Sequence, residues 1–307
     1  MNINDMRGAL HSFDDSGFTI LLDQLEAKRQ KAFKLFLSVV FASGFIVFSI
    51  FLAQGFTDFV QFSGFGAIFI STIFYRRMAT VRREAKGELM PALCKKIGLD
   101  YTISPPGHAM HYFDQLSIIP SYDERSLEDQ INGKVDDIDF ELLEAKLVNV
   151  SRDSKGRTTR TTVFQGFLVQ FDFHKNFNGQ TVITKDHTVI GNFFSNLSKD
   201  GERVKLEDRE FEDQFEVHST DQVEARYLLT PRFMERLLSF SRLPSVKQLQ
   251  LAFKDGSIYM AIKRSGNAFE GGSLNLNDPK LIEQNIKDIA LIFDMVTELN
   301  LTQDTKI

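Results

Sequence analysis

Residues 161–173 read TTVFQGFLVQFDF. Val163, Phe167, Val169, Phe171 and Phe173 fall on alternate positions, the period of a strand with one apolar face. Upstream, FELLEAKLVNV (140–150) reads as a second strand, and the polar ten between them, SRDSKGRTTR (151–160), as a long hairpin loop. Downstream, KNFNGQ (175–180) is a turn and TVIT (181–184) a short strand. KQLQLAFKDGSIYMAIK (247–263) is a hairpin, because Asp255-Gly256 favours the tight turn that matches strand twist.

Helices flank these strands. Met78, Val81, Ala85, Leu89, Leu93 and Ile97 recur every three to four residues, with Pro91 able to bend the helix and Gly98 to end it. HAMHYFDQL (108–116) reads as a short helix after a Pro-Pro-Gly break, and 120–137 as loop. Asp278-Pro279 supplies a cap and a first-turn proline, after which Ile282, Ile286, Ile289, Phe293 and Val296 form one face. That face is too short for a coiled coil and predicts packing on a sheet. The predicted class is α+β, with antiparallel strands and packed helices.

The N-terminal quarter differs. LFLSVVFASGFIVFSIFLA (35–53) is 19 residues without a charge, and FVQFSGFGAIFISTIFY (59–75) is 17. At 1.5 Å per residue the first extends roughly 28 Å, close to a hydrocarbon core of about 30 Å. Lys28, Arg29, Lys31 and Lys34 precede the first run, and Arg76, Arg77, Arg82 and Arg83 follow the second. Basic flanks stay on the cytoplasmic side, so a transmembrane hairpin with both termini cytoplasmic is expected. Ser43 and Gly44 in one run and Gly64 and Gly66 in the other would let the helices approach closely. Neither run has a mid-span ionisable residue, which argues against an ion path. The expected organisation is 1–34 cytoplasmic helical segment, 35–75 transmembrane hairpin, 76–130 juxtamembrane helices and linker, and 131–307 cytoplasmic α+β domain.

The net charge of −5 argues against a nucleic-acid surface, and the single cysteine, Cys94, excludes an internal disulfide and a cysteine zinc cage. No cofactor motif is present. DQVEARYLLTPRFMERL (221–237) holds two capping signals, Asp221 with Glu224, and Thr230 before Pro231. Phe233, Met234, Leu237, Leu238 and Phe240 then make an apolar face. Local physics leaves Arg226 and Tyr227, read as an acid-paired arginine and a buried tyrosine. Glu224, Arg226 and Tyr227 are also the best candidates for ligand or partner contact, with His108 and His111. The two histidines, with Asp114, have the spacing for a metal but no fourth ligand, and surface histidines are the simpler reading. In EDREFEDQFE (207–216) a helix would turn Phe211 and Phe215 inward and leave the acids in water.

EFEDQFEVHSTDQVEARYLLTPRFMERL, with GFLVQFDFHKNFNGQTVI and IFDMVTELNL, resembles the bacterial family called domain of unknown function 3137, over about residues 15–302. The resemblance implies an N-terminal pair of spans and a cytoplasmic α+β region in a bacterial inner membrane, and supplies no catalytic residue. The expected function is a membrane-anchored binding or scaffold module. Its partners would be the bilayer, and a membrane protein or further copies of itself. The alternatives are a membrane-associated enzyme with an unrecognised site, or a subunit of a membrane complex.

Overall fold

The computed structural model describes residues 4–5, 8, 16–54, 59–173, 175–185, 201–266, 268–269 and 279–299. The chain forms two compact units: residues 12–92 with 270–285, and residues 1–11, 93–269 and 286–307.

The first unit is built on two long helices, α1 (Ser16–Gln54) and α2 (Phe59–Lys96). Leu25 and Ala85 form a small buried cluster, and Lys28 Nζ donates to Glu88 Oε1 at 3.0 Å. Arg29 grips Glu26 with two bonds of 2.8 and 2.6 Å. Pro91 lies inside α2. The uncharged runs 35–53 and 59–75 fall within these helices, but the side chains of 43 and 46–71, including Ser43, Gly64 and Gly66, lie outside the described residues. A Cβ on Gly44 would meet nothing within 4 Å, so no close approach depends on that glycine. Among the described residues, no helix is long and apolar enough to cross a membrane.

Among the described residues, the second unit holds a nine-stranded sheet in the order β1-β2-β3-β4-β9-β8-β5-β7-β6, antiparallel at every pairing. Its strands are β1 (Asp100–Thr102), β2 (Glu124–Val135), β3 (Ile138–Arg152), β4 (Thr158–Asp172), β5 (Thr181–Lys185), β6 (Glu202–Arg203), β7 (Phe215–Ser219), β8 (Gln248–Lys254) and β9 (Ser257–Lys263). The helices are α3 (His111–Leu116), preceded by a 3-10 turn (Gly107–Met110), α4 (Arg209–Gln214), α5 (Gln222–Leu228), α6 (Pro231–Ser241) and α7 (Pro279–Glu298). The α+β class and antiparallel sheet expected from the sequence are present. The predicted 247–263 hairpin turns on Asp255 (φ +51°) and Gly256 (φ +76°).

Three segments differ from expectation. Residues 120–137 are mostly strand, not loop, and position 130, expected as a domain boundary, lies inside β2. Ile131 and Val135 are buried, but Asp129 and Gly133 interrupt the apolar alternation that would have marked a strand. Gly133 is required because its Cβ would lie 2.7 Å from Leu99 Cδ2. The β2–β3 turn uses Asp136 and Asp137 at φ +45° and +65°, the left-handed pair of a tight hairpin. The polar ten between β3 and β4 is not a long loop: both strands continue into it and leave only 153–157. There Asp153 accepts from the amides of Lys155 and Arg157 at 2.9 Å each, closing the turn. Phe215 is buried as expected, but from β7 rather than a helix.

Both faces of the sheet are covered. On one, Met110, Phe113, Leu116, Ile118 and Ile119 pack on Leu143, Leu147, Phe164, Leu168 and Tyr259. On the other, Phe233 of α6 meets Phe253 of β8 at 5.8 Å, and Phe269 stacks on Phe167 of β4 at 5.4 Å. All five predicted apolar residues of α6 are buried, each contributing about 1.5–3 kcal/mol. The face predicted for α7 is buried at Ile289, Phe293 and Val296, while its proposed cap, Asp278, lies outside the described residues.

Gly166 marks the closest approach of β4 and β9. A Cβ there would sit 2.0 Å from Ile262 O. Gly166→Ala is therefore expected to cost on the order of 3 kcal/mol or more. Thr230→Ala, which removes only the 3.3 Å cap bond from Phe233 N, should cost about 1 kcal/mol. Urea unfolding of the two variants checks the ranking; equal midpoints would refute it.

Candidate functional site

Asp221 caps α5 by accepting from the amides of Val223 and Glu224 at 2.8 and 3.0 Å. Glu224 does not complete a capping box. Its carboxylate reaches across to the 173–180 loop and accepts from Asn178 N at 2.8 Å and Gly179 N at 2.6 Å. A Cβ on Gly179 would lie 2.6 Å from Glu224 Oε2, so glycine is needed for the carboxylate to enter. The loop answers with Lys175, whose Nζ donates to Tyr227 O at 2.9 Å and stands 4.5 Å from the centre of the Tyr227 ring. The clamp is reciprocal: an acid of the helix takes loop amides, and a cation of the loop takes a last-turn carbonyl. Beneath it, Phe173 and Phe177 pack on Phe253 at 5.5 and 6.0 Å. Partial burial holds the Lys175 ammonium's pKa below the ordinary lysine value. A seven-residue helix does not stand alone in water, so the clamp, with the burial of Ala225 and Leu228, fixes α5.

Two readings of this stretch are corrected. Arg226 is not an arginine paired with a buried acid. It is exposed and donates to Gln222 O, Lys205 O and Gln222 Oε1 at 3.0, 3.4 and 3.3 Å. Tyr227 is not in the core: 54% of it is exposed, because α5 turns Ala225 and Leu228 inward instead. Val223, one turn earlier, is 79% exposed, so the outer side of α5 carries an aliphatic and an aromatic residue side by side.

His108 and His111 are exposed on the 3-10 turn and α3, and the structure does not bring them to α5. His111 Nε2 lies 2.9 Å from Gln115 Nε2. Asp114 accepts from Tyr122 Oη at 2.9 Å. Among the described residues, no group of three or more His, Cys, Asp or Glu side chains is arranged to hold a metal.

Sequence reasoning missed two polar features of the β2–β3–β4 region. Glu124, Ser126, Glu128, Glu144, Lys146 and Arg160 line an open cleft of about 390 Å³, with Arg160 bonded to both oxygens of Glu124 at 3.0 and 3.1 Å. Only strand register could assemble it, since its residues lie up to 36 positions apart. The second is buried. Asp129, fully covered and at φ +51°, accepts a bond from Tyr101 Oη beside Cys94. Burial, then the Asp129 and Asp100 charges, push the Cys94 thiol up to about 12. Burial and Asp129 raise Tyr101 as well.

The protein family described as "Protein of unknown function (DUF3137)" matches residues 162–301, a span from β4 through α7 that includes α5. That segment carries the domain that defines the family. No curated protein matches. Among solved structures, the mycobacterial trehalose monomycolate transport factor A, TtfA, is similar over 71% of this chain and 93% of that one. The identity is 11% and the TM-score 0.32, too low to define a shared fold.

Glu224→Ala should lower stability by about 1.5–3 kcal/mol, the range for hydrogen bonds to a charged group. Arg226→Ala, whose bonds end on exposed oxygens, should move it by less than about 0.5 kcal/mol. Urea midpoints decide, and a larger loss from the arginine would overturn the clamp. Cys94 makes a pH prediction. Its folded pKa lies above the unfolded value of 9.0, so its contribution is complete below pH 9 and is lost as pH rises toward about 12. The unfolding midpoint of the parent should therefore fall faster above pH 9 than that of Cys94→Ala.

Proposed function

We propose that the chain is a membrane-anchored binding module: the α1–α2 hairpin crosses a bacterial inner membrane, and the α+β unit presents the α5 surface on its cytoplasmic side. The observation that carries the anchor is apolar exposure around α1 and α2. Leu35, Val39, Phe41 and Phe45 are 57, 51, 74 and 72% exposed, and Ile73 is 50% exposed. At about 100° per residue the four α1 positions point to more than one side of the helix, and apolar surface all round belongs to lipid rather than water. The Lys28–Glu88 pair and the Leu25–Ala85 cluster bring the start of α1 against the end of α2. A hairpin of α1 and α2 would bring the basic residues of 28–34 and of 76–83 to the same side of the bilayer, where a cytoplasmic headgroup layer would meet them.

The binding role rests on α5. Val223 and Tyr227 stand exposed at adjacent turns, with Lys175 fixed over the tyrosine ring. An aromatic side chain held by a clamp loses little entropy on contact and suits a protein partner.

A reporter enzyme that works only outside the cytoplasm tests the anchor. Fused after Ile307 it should be silent; inserted between Gln54 and Asp58 it should be active. Activity at Ile307 alone would reverse the topology, and silence at both would remove the spans.

A further inference from the structure

The β3–β4 hairpin outruns its neighbours. β2 pairs with β3 only as far as Val148, and β9 pairs with β4 only from Gly166, whereas β3 and β4 stay paired out to Arg152 and Thr158. The last backbone tie to the sheet on the β3 side is at Asp123. Its amide donates to Val148 O at 3.0 Å, and its carboxylate accepts from Val150 N at 2.6 Å. Every residue from Ser151 to Thr162 is exposed. The ribbon therefore projects by roughly 15 Å, at about 3.3 Å per residue from Val150 to the tip. The tip is held from inside: Asp153 accepts from the amides of Lys155 and Arg157 and from Arg157 Nε at 2.8 Å, and Gly156 takes φ +76°.

The ribbon is basic in an acidic chain. SRDSKGRTTRTT (151–162) holds Arg152, Lys155, Arg157 and Arg160 against one acid, Asp153, a net +3 where the whole chain carries −5. That acid is spent on the tip backbone. Register sorts the remaining charge. Val150 lies opposite Arg160 and Arg152 opposite Thr158, so both arginines stand on one face. The other face presents Asn149, Ser151, Thr159 and Thr161, all uncharged. Arg160 is shared with Glu124 at the base, but that pair is exposed on both sides and gives way readily to a competing anion.

We propose that this ribbon docks on the anionic phospholipid headgroups of a bilayer. The proposal rests on the membrane anchor argued above. Magnitudes choose the partner. One Lys or Arg close to an anionic membrane strengthens attachment by about fivefold, so four give several hundred-fold, a dissociation constant on the order of millimolar. That does not retain a free polyanion such as a nucleic acid. It is sufficient for a chain already kept at the bilayer, where the effective concentration is itself on the order of millimolar. The side chains argue against a protein partner: residues 151–162 include no aromatic or aliphatic side chain to form the desolvated centre of a protein interface. Guanidinium, ammonium and hydroxyl groups on a stiff ribbon suit phosphate oxygens. Docking would make the placement of the α+β unit at the headgroups depend on lipid charge.

The test uses the full chain in nanodiscs of phosphatidylcholine alone and of phosphatidylcholine mixed with phosphatidylglycerol. Ser154→Cys carries a fluorophore at the tip, since Cys94 is buried and stays unlabelled. A nitroxide on a trace of the headgroups quenches it on contact. Quenching should appear in the phosphatidylglycerol discs and be absent in pure phosphatidylcholine. It should vanish in molar salt, where the screening length falls to about 3 Å. Arg152→Glu with Lys155→Glu should lower the docked-to-undocked ratio by about 25-fold or more, with an unchanged urea midpoint because both side chains are exposed. If that variant fails to fold, the lipid and salt comparisons decide. The proposal is overturned by no quenching in the anionic discs, by equal quenching in both lipids, or by quenching that survives the double substitution. Displacement by duplex DNA at equal phosphate concentration would make a nucleic acid the partner and overturn it as well. A chain that enters neither disc refutes the anchor instead. Flotation with phosphatidylglycerol vesicles at low salt then judges the ribbon, and binding there that ignores Arg152 and Lys155 overturns it too.

Discussion

The sheet depends on one junction, the pairing of β4 with β9. Without it the nine described strands would separate into β1-β2-β3-β4, a meander, and β9-β8-β5-β7-β6, which is not one, each with a bare edge. The junction joins segments nearly a hundred residues apart, so its formation carries a substantial loop-closure cost before any contact is gained. Gly166 makes the approach possible, and the aromatic and aliphatic residues of both strands then bury together. Phe167, Val169, Phe171, Ile258, Met260 and Ile262 are all fully covered.

The junction is held from outside as well. Where the chain leaves β9, Arg264 donates to Asp288 of α7 at 2.6 Å and lies over the Phe167 ring at 4.5 Å. Asp288 also accepts from Phe269 N at 3.3 Å, and Glu144 of β3 accepts from Ala268 N at 2.8 Å. Buried charges are costly and rarely add net stability over an apolar core. Here they hold an otherwise irregular segment, including Phe269 at φ +49°, against the sheet, and they tie α7 to the strand it follows. The arrangement favours one placement of that segment over others.

The same economy of local and distant contacts shapes α5. Its cap is local, Asp221 to its own first turn. Its position is not: Glu224 and Lys175 are separated by 49 residues and meet only because β5 returns the loop beside β7. The clamp explains why the helix can expose Val223 and Tyr227, since burial of those side chains is not what holds it.

The sequence by itself determined what short-range physics controls. The β8–β9 turn, the caps of α5 and α6, the apolar face of α6, the end of α2 near Gly98 and the α+β class all follow from residues within one or two turns of each other. So does the family, whose signatures are local strings. It misplaced what depends on distant partners. β2 was hidden because the inward positions of a strand need not be apolar when one is a bulged Asp129 bonded to Tyr101 and another a Gly133 pressed on Leu99. Tyr227 and Arg226 were placed in the core because their types suit it. Only the tertiary structure decided which side of a seven-residue helix faces out, since Glu224 spends its charge on the backbone of another loop. The cleft at Glu124 and Arg160 is likewise a product of register. No local pattern encodes it, because it exists only between strands.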